Sequence, residues 1–84
     1  MVQITFKLFA SLGEYLPAGS VSNATKIEIE DQTSVVDVIE TYNIPSDLVH
    51  LVLLNGVYLH PEERLRATFK EGDTLTIFPP VAGG

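Results

Sequence analysis

Residues 31–45 read DQTSVVDVIETYNIP, and the spacing within them decides the fold. Val35, Val38, Ile39 and Tyr42 fall at i, i+3, i+4 and i+7, one face of a helix. Thr33 or Ser34 can cap its start, and Asp37 stands three residues after Ser34 in a capping-box position. Asn43 and Pro45 end it. On either side of this stretch the apolar residues alternate instead, so one helix is framed by strands.

Toward the N-terminus, TKIEIE (25–30) alternates, with Ile27 and Ile29 pointing inward and charges outward, which suits an edge strand. VQITFKLF (2–9) alternates more cleanly. Val2, Ile4, Phe6 and Leu8 share one face, and Gln3, Thr5, Lys7 and Phe9 share the other. Between these strands, ASLGEYL (10–16) has room for a short helical turn before Pro17, and PAGSVSNA (17–24) is small and polar, a mobile loop.

Toward the C-terminus, HLVLLNGVYLH (50–60) is a hairpin signal. Asn55-Gly56 suits a two-residue type I′ turn, in which both central residues need positive φ. That turn sets Leu54 against Val57, Leu53 against Tyr58 and Val52 against Leu59. PEERLRATFKEGD (61–73) reads as an irregular return with Leu65 and Phe69 as anchors and Gly72 as a turn. TLTIF (74–78) is a last strand, with Leu75 and Ile77 inward. The order is strand, strand, helix, strand, short strand, strand: one helix on one face of a small mixed sheet, a two-layer α+β domain.

The chain has 84 residues, 45% of them hydrophobic, so one small domain with one core is expected. No apolar run approaches the roughly 20 residues of a membrane span. MVQITF has no basic n-region, so no signal peptide is expected and a cytoplasmic protein is the default. There is no cysteine, which removes disulfides, iron–sulfur ligation and a thiol nucleophile. A net charge of −6 makes the chain a poor nucleic-acid binder, because phosphate contacts need Lys and Arg.

Chemistry-bearing motifs are sparse. No phosphate-binding glycine loop and no nucleophile elbow occurs. His50 and His60 flank the hairpin, but a metal site needs more ligands than such a pair, and none is expected. Glu62 and Glu63 read as a solvated turn. Ser11, Ser20, Ser22 and Ser34 have no His or acid at a telling spacing. An active site contained within the chain is not expected.

The tail is the exception. Pro79 and Pro80 cannot donate to a sheet ladder, so pairing stops at Phe78. Two adjacent prolines favour an extended, projecting stem. Gly83 and Gly84 lack a Cβ, so a narrow tunnel can close around them. The α-carboxylate at the tip is a poor electrophile until another protein activates it.

EGDTLTIFPPVAGG (71–84) resembles the C-terminus of the ubiquitin-like sulfur carrier proteins, most closely the small subunit of molybdopterin synthase and less closely the thiamine-biosynthesis sulfur carrier. FKLFASLGEYL (6–16) resembles that family's opening strand and helix; Gly13 stands where the molybdopterin branch often carries a basic residue. The resemblance implies a β-grasp fold, with residues 1–78 as the domain and 79–84 (Pro79, Pro80, Val81, Ala82, Gly83 and Gly84) as a flexible tail. It implies a carrier rather than an enzyme, with no bound cofactor. An E1-like adenylating enzyme would use ATP to adenylate Gly84, and a sulfur donor such as a desulfurase or rhodanese would convert it to a thiocarboxylate. A larger synthase subunit, or another acceptor enzyme, would receive the sulfur. Molybdopterin, thiamine, cysteine, siderophore and tRNA-thiolation routes all use such carriers, and a protein modifier conjugated to lysines needs the same adenylation step.

Strand parity adds a docking surface. Phe9 and Phe78 should share one end of the sheet's outer face, joined by Leu51, Leu53 and Tyr58, a row of apolar side chains beside the tail that suits partner binding. Phe9 and Phe78 also match, by resemblance, residues the family uses against its partners.

Overall fold

The computed structural model describes residues 1–80. Strand β1 spans Val2–Leu8, β2 Ala24–Ile29, β3 Leu51–Leu54, β4 Val57–Tyr58 and β5 Thr74–Phe78. Helix α1 spans Val35–Thr41, and a single helical turn, α2, spans Pro61–Arg64. Short 3-10 turns lie at Ala10–Tyr15 and Ser46–Leu48. The strands form one mixed sheet in the order β2-β1-β5-β3-β4, with β1 and β5 parallel at its centre and the other pairs antiparallel. This is the expected β-grasp arrangement, with β2 at an edge.

Alternation decides the core. Ile4, Phe6 and Leu8 of β1 are buried with Leu75 and Ile77 of β5, Val52 of β3 and Ile27 of β2. Val35, Val38 and Ile39 close the layer from α1, and Tyr42 tilts against Phe6 with 5.0 Å between ring centres. The start of α1 is a complete capping box. The Asp37 backbone N–H donates to Ser34 Oγ at 3.1 Å, and the Ser34 N–H donates to the Asp37 carboxylate at 3.0 Å. Ser34, rather than Thr33, is the cap. After Tyr42 the chain turns through Asn43 at φ 60°, the left-handed conformation that Asn tolerates.

The β3–β4 hairpin has the register its turn demands. Asn55 and Gly56 take φ 53° and 82°, and Leu54 faces Val57 while Leu53 faces Tyr58. The Leu59 N–H donates to the Val52 carbonyl at 2.9 Å. Asn55 also ties the turn to the start of β5. Its Oδ1 accepts from the Thr74 N–H at 2.8 Å and its Nδ2 donates to Asp73 at 2.9 Å.

The return segment differs from its reading. Phe69 is buried as an anchor, but Leu65 is 66% exposed. Arg64, 8% exposed, fills the inward position instead. The cause is the α2 turn. Pro61 begins it, Glu63 accepts from the His60 N–H at 2.7 Å, and the next turn position directs residue 64 inward. The Arg64 stem supplies the apolar cover, while its Nε donates to the Leu59 carbonyl at 3.0 Å. Leu65, one step and about 100° further round, points to solvent. Segment 17–24 is a chain of hydrogen-bonded turns, with the Ser20 hydroxyl donating to the Pro17 carbonyl at 2.6 Å and the Ala24 N–H donating to the Val21 carbonyl at 3.2 Å.

Candidate docking surface beside the tail

The face of the sheet away from α1 is built by the residues that alternate with the core. Because Leu8 pairs with Ile77 in the parallel β1–β5 ladder, the next residue of each strand, Phe9 and Phe78, emerges side by side on that outer face. Phe9 keeps extended geometry, φ −103° and ψ 159°, and its N–H donates to the Ile77 carbonyl at 3.2 Å. Ala10 then turns the chain away at φ 53°. The two phenyl rings stack, with 4.5 Å between centres and 11° between planes. Leu51 pairs with Phe78 from the other side and is 40% exposed.

One row further from the tail, Lys7, Thr76, Leu53 and Tyr58 follow one another across the sheet by register. Tyr58 is 39% exposed. It meets the His60 ring edge-on at 4.9 Å, and the Arg64 guanidinium carbon lies 5.9 Å from its ring centre. The return segment therefore reaches this end of the outer face. The five apolar residues expected together thus divide: Phe9, Phe78 and Leu51 form one contiguous group, and Leu53 with Tyr58 forms the next pair.

Self-stacking changes the character of the first group. Phe9 and Phe78 are half-buried, and each ring covers one face of the other. What solvent meets is the rim of a preformed aromatic pair, which costs less side-chain entropy to dock than two loose rings. The sequence reading did not include Lys7 and Thr76. Strand parity alone places both beside the group, and Lys7 contributes a cation to a row that is otherwise uncharged.

The tail leaves directly from this group. The His50 N–H donates to the Phe78 carbonyl at 3.0 Å, which is the last bond of the ladder here. Pro79 is buried and Pro80 is exposed, so by burial Pro79 packs with the domain. The expected site residues Val81, Ala82, Gly83 and Gly84 lie outside the described residues. Among the described residues, no three or more His, Cys, Asp or Glu side chains gather as a metal site, and no helix is long and apolar enough to cross a membrane.

A β-grasp sheet with its helix on one face, and an apolar group on the other face beside the exit of a C-terminal tail, defines a ubiquitin-like carrier or modifier. Comparison with family models makes this specific: the ThiS family model matches residues 6–84, and the chain belongs to the ThiS family. Proteins of this kind are small carriers rather than enzymes. Among solved structures, SAMP1 of Haloferax volcanii is similar at 27% identity, over 98% of this chain and 99% of that one, with a TM-score of 0.67. A Pyrococcus furiosus protein described as molybdopterin converting factor subunit 1 shares 23% identity over 96% of this chain and 100% of that one, with a TM-score of 0.70. A chain from the complex of subunits 1 and 2 of the Helicobacter pylori molybdopterin-converting factor shares 17% identity over 99% of this chain and 100% of that one, at 0.61. At these lower identities the last two show the fold. Comparison with curated protein sequences gives no match.

Proposed function

We propose that the chain carries sulfur as a thiocarboxylate on Gly84 for molybdopterin synthesis. Membership of the ThiS family, by a match that runs through Gly84, is the observation that carries this reading. Its chemistry follows from the carboxylate. An E1-like partner would bind ATP and let a Gly84 oxygen attack the α-phosphorus, with pyrophosphate leaving. The terminal sulfur of a persulfide on a desulfurase or rhodanese would then displace AMP from the acyl-adenylate, and a thiol of the partner would cleave the resulting acyl disulfide, forming a disulfide and leaving the thiocarboxylate. A larger synthase subunit would accept the sulfur. The carrier's own contribution is positional. Phe9, Phe78 and Leu51 would seat the domain, with Leu53 and Tyr58 extending the contact, while Pro80, leaving the packed Pro79, would aim the slender Gly83-Gly84 end into the partner. The molybdopterin branch is preferred because residues 71–84 resemble it and because two structurally similar proteins bear its names.

A second reading is favoured by the likeness to SAMP1, the small archaeal modifier protein 1: conjugation of the same carboxylate to lysines. Intact-mass measurement after incubation with a cognate adenylating enzyme, ATP and a sulfur source separates the two. The carrier gains the mass difference between sulfur and oxygen. A ladder of protein adducts with no such gain supports the modifier. Mass left unchanged, with adenylating enzyme shown to be active on another substrate, overturns both.

A further inference from the structure

The free edge of β2 carries an arrangement that neither the tail nor the outer face uses. In the β1–β2 ladder the Leu8 N–H donates to the Asn23 carbonyl at 3.0 Å. Register pairs Leu8's neighbours in sequence, so residues 25, 27 and 29 of β2 also turn their backbone groups toward β1. Residues 24, 26 and 28 therefore turn theirs outward. The Ala24 N–H is taken by the Val21 carbonyl, and beyond the strand the Glu30 carbonyl accepts from the Thr33 N–H at 3.0 Å. What remains open is a short template: the N–H and C=O groups of Lys26 and Glu28.

Both side chains are exposed, and among the described residues neither forms an ion pair. They stand two apart on the outer face, with opposite charges. Their cross-strand neighbours in β1 are Thr5 and Gln3, which are uncharged. An exposed edge is usually blunted because an incoming strand meets uncompensated charge. Here a second copy of the same edge, run antiparallel, supplies the compensation.

We propose that β2 pairs with β2 of a second copy of this chain, about a two-fold axis at Ile27. In that register Lys26 faces Glu28 of the second copy and Glu28 faces its Lys26. Each is a hydrogen-bonded pair exchanging two backbone bonds, and each brings opposite charges together. The neighbouring registers are poorer: centring on Lys26 sets Lys against Lys and pairs Glu28 with Ala24, whose N–H is already taken, and centring on Glu28 sets Glu against Glu and pairs Lys26 with Glu30, whose carbonyl is already taken. On the core side the two Ile27 side chains meet across the axis. Thr25 of the second copy falls beside Ile29, at the mouth of a cleft lined by Ile29, Val38 and Tyr42. The aromatic group beside the tail stays open in both copies, so pairing is compatible with docking there.

Sedimentation velocity over a wide concentration range tests this with three chains. The native protein is expected to show a monomer–dimer equilibrium. Lys26→Glu and Glu28→Lys each place like charges in both pairs, and each alone should weaken self-association by on the order of 10-fold. Mixed together, the two variants should associate with one another, because Glu at 26 then meets Lys at 28 and Glu at 28 meets Lys at 26. Circular dichroism confirms that each variant is folded. A native protein that stays monomeric at every concentration overturns the proposal. So does a dimer that ignores both substitutions, or a mixture that associates no better than either variant alone.

Discussion

Phe6 and Phe9 are three residues apart, and they belong to different worlds. Phe6 is fully buried under α1, against Tyr42. Phe9 lies across the sheet, half-buried, with Phe78 stacked on it. The same side chain is core on one face and surface on the other, and a single step of strand parity makes the difference. Apolar content does not separate core residues from outer-face residues in a domain this small. Register does. Phe9, Phe78, Leu51 and Leu53 are apolar enough to be core, yet they lie on the face of the sheet away from α1.

Substitutions can break or sharpen that contrast. The largest effect belongs to the inner face: Phe6→Ala should cost about 3–5 kcal/mol, read from urea unfolding, because the surrounding layer cannot collapse into the space. An equal loss at Phe9 would erase the distinction between faces. Next comes Arg64→Ala, which removes a buried stem and leaves the Leu59 carbonyl without its donor; about 1–3 kcal/mol is expected by the same measurement. Ser34→Ala removes the acceptor for the Asp37 N–H and should cost about 1 kcal/mol. Phe78→Ala loses the stack, about 0.5–1.5 kcal/mol of stability, although it is as large a truncation as Phe6→Ala. Smallest of all is Leu65→Glu, expected within about 0.5 kcal/mol of native by thermal unfolding. A loss of several kcal/mol there would mean that Leu65 is the anchor and Arg64 is not.

Much of this was legible because the signals are local and periodic. The helix was readable from the spacing of Val35, Val38, Ile39 and Tyr42, with Asp37 three after Ser34, since a capping box is written within four residues. The hairpin register followed from Asn55-Gly56, because few residue pairs accept two positive φ values in succession. The meeting of Phe9 and Phe78 followed from parity and from the parallel pairing of the first and last strands. Other features depend on tertiary packing. Nothing local marks Arg64 as buried; its charge argues for the surface, and only a carbonyl at Leu59 and an apolar path for its stem reverse that. Pro79 likewise looks like the first residue of a projecting stem, because proline ends the ladder, yet ending a ladder does not stop a ring from packing. The ring stack of Phe9 on Phe78 needs side-chain geometry that parity does not supply.

On the proposed function, the inner face folds the chain and the outer face presents it to the partner. The most direct test is calorimetric titration of Phe78→Ala and Phe9→Ala against the adenylating partner, with affinity expressed per folded molecule and Phe6→Ala as the control. Each outer-face variant is expected to stay folded and lose about 2–4 kcal/mol of binding, the range of an aromatic hot spot, while the folded fraction of Phe6→Ala binds as the native protein does. Native affinity in Phe78→Ala and Phe9→Ala, with binding lost only in Phe6→Ala, would contradict it.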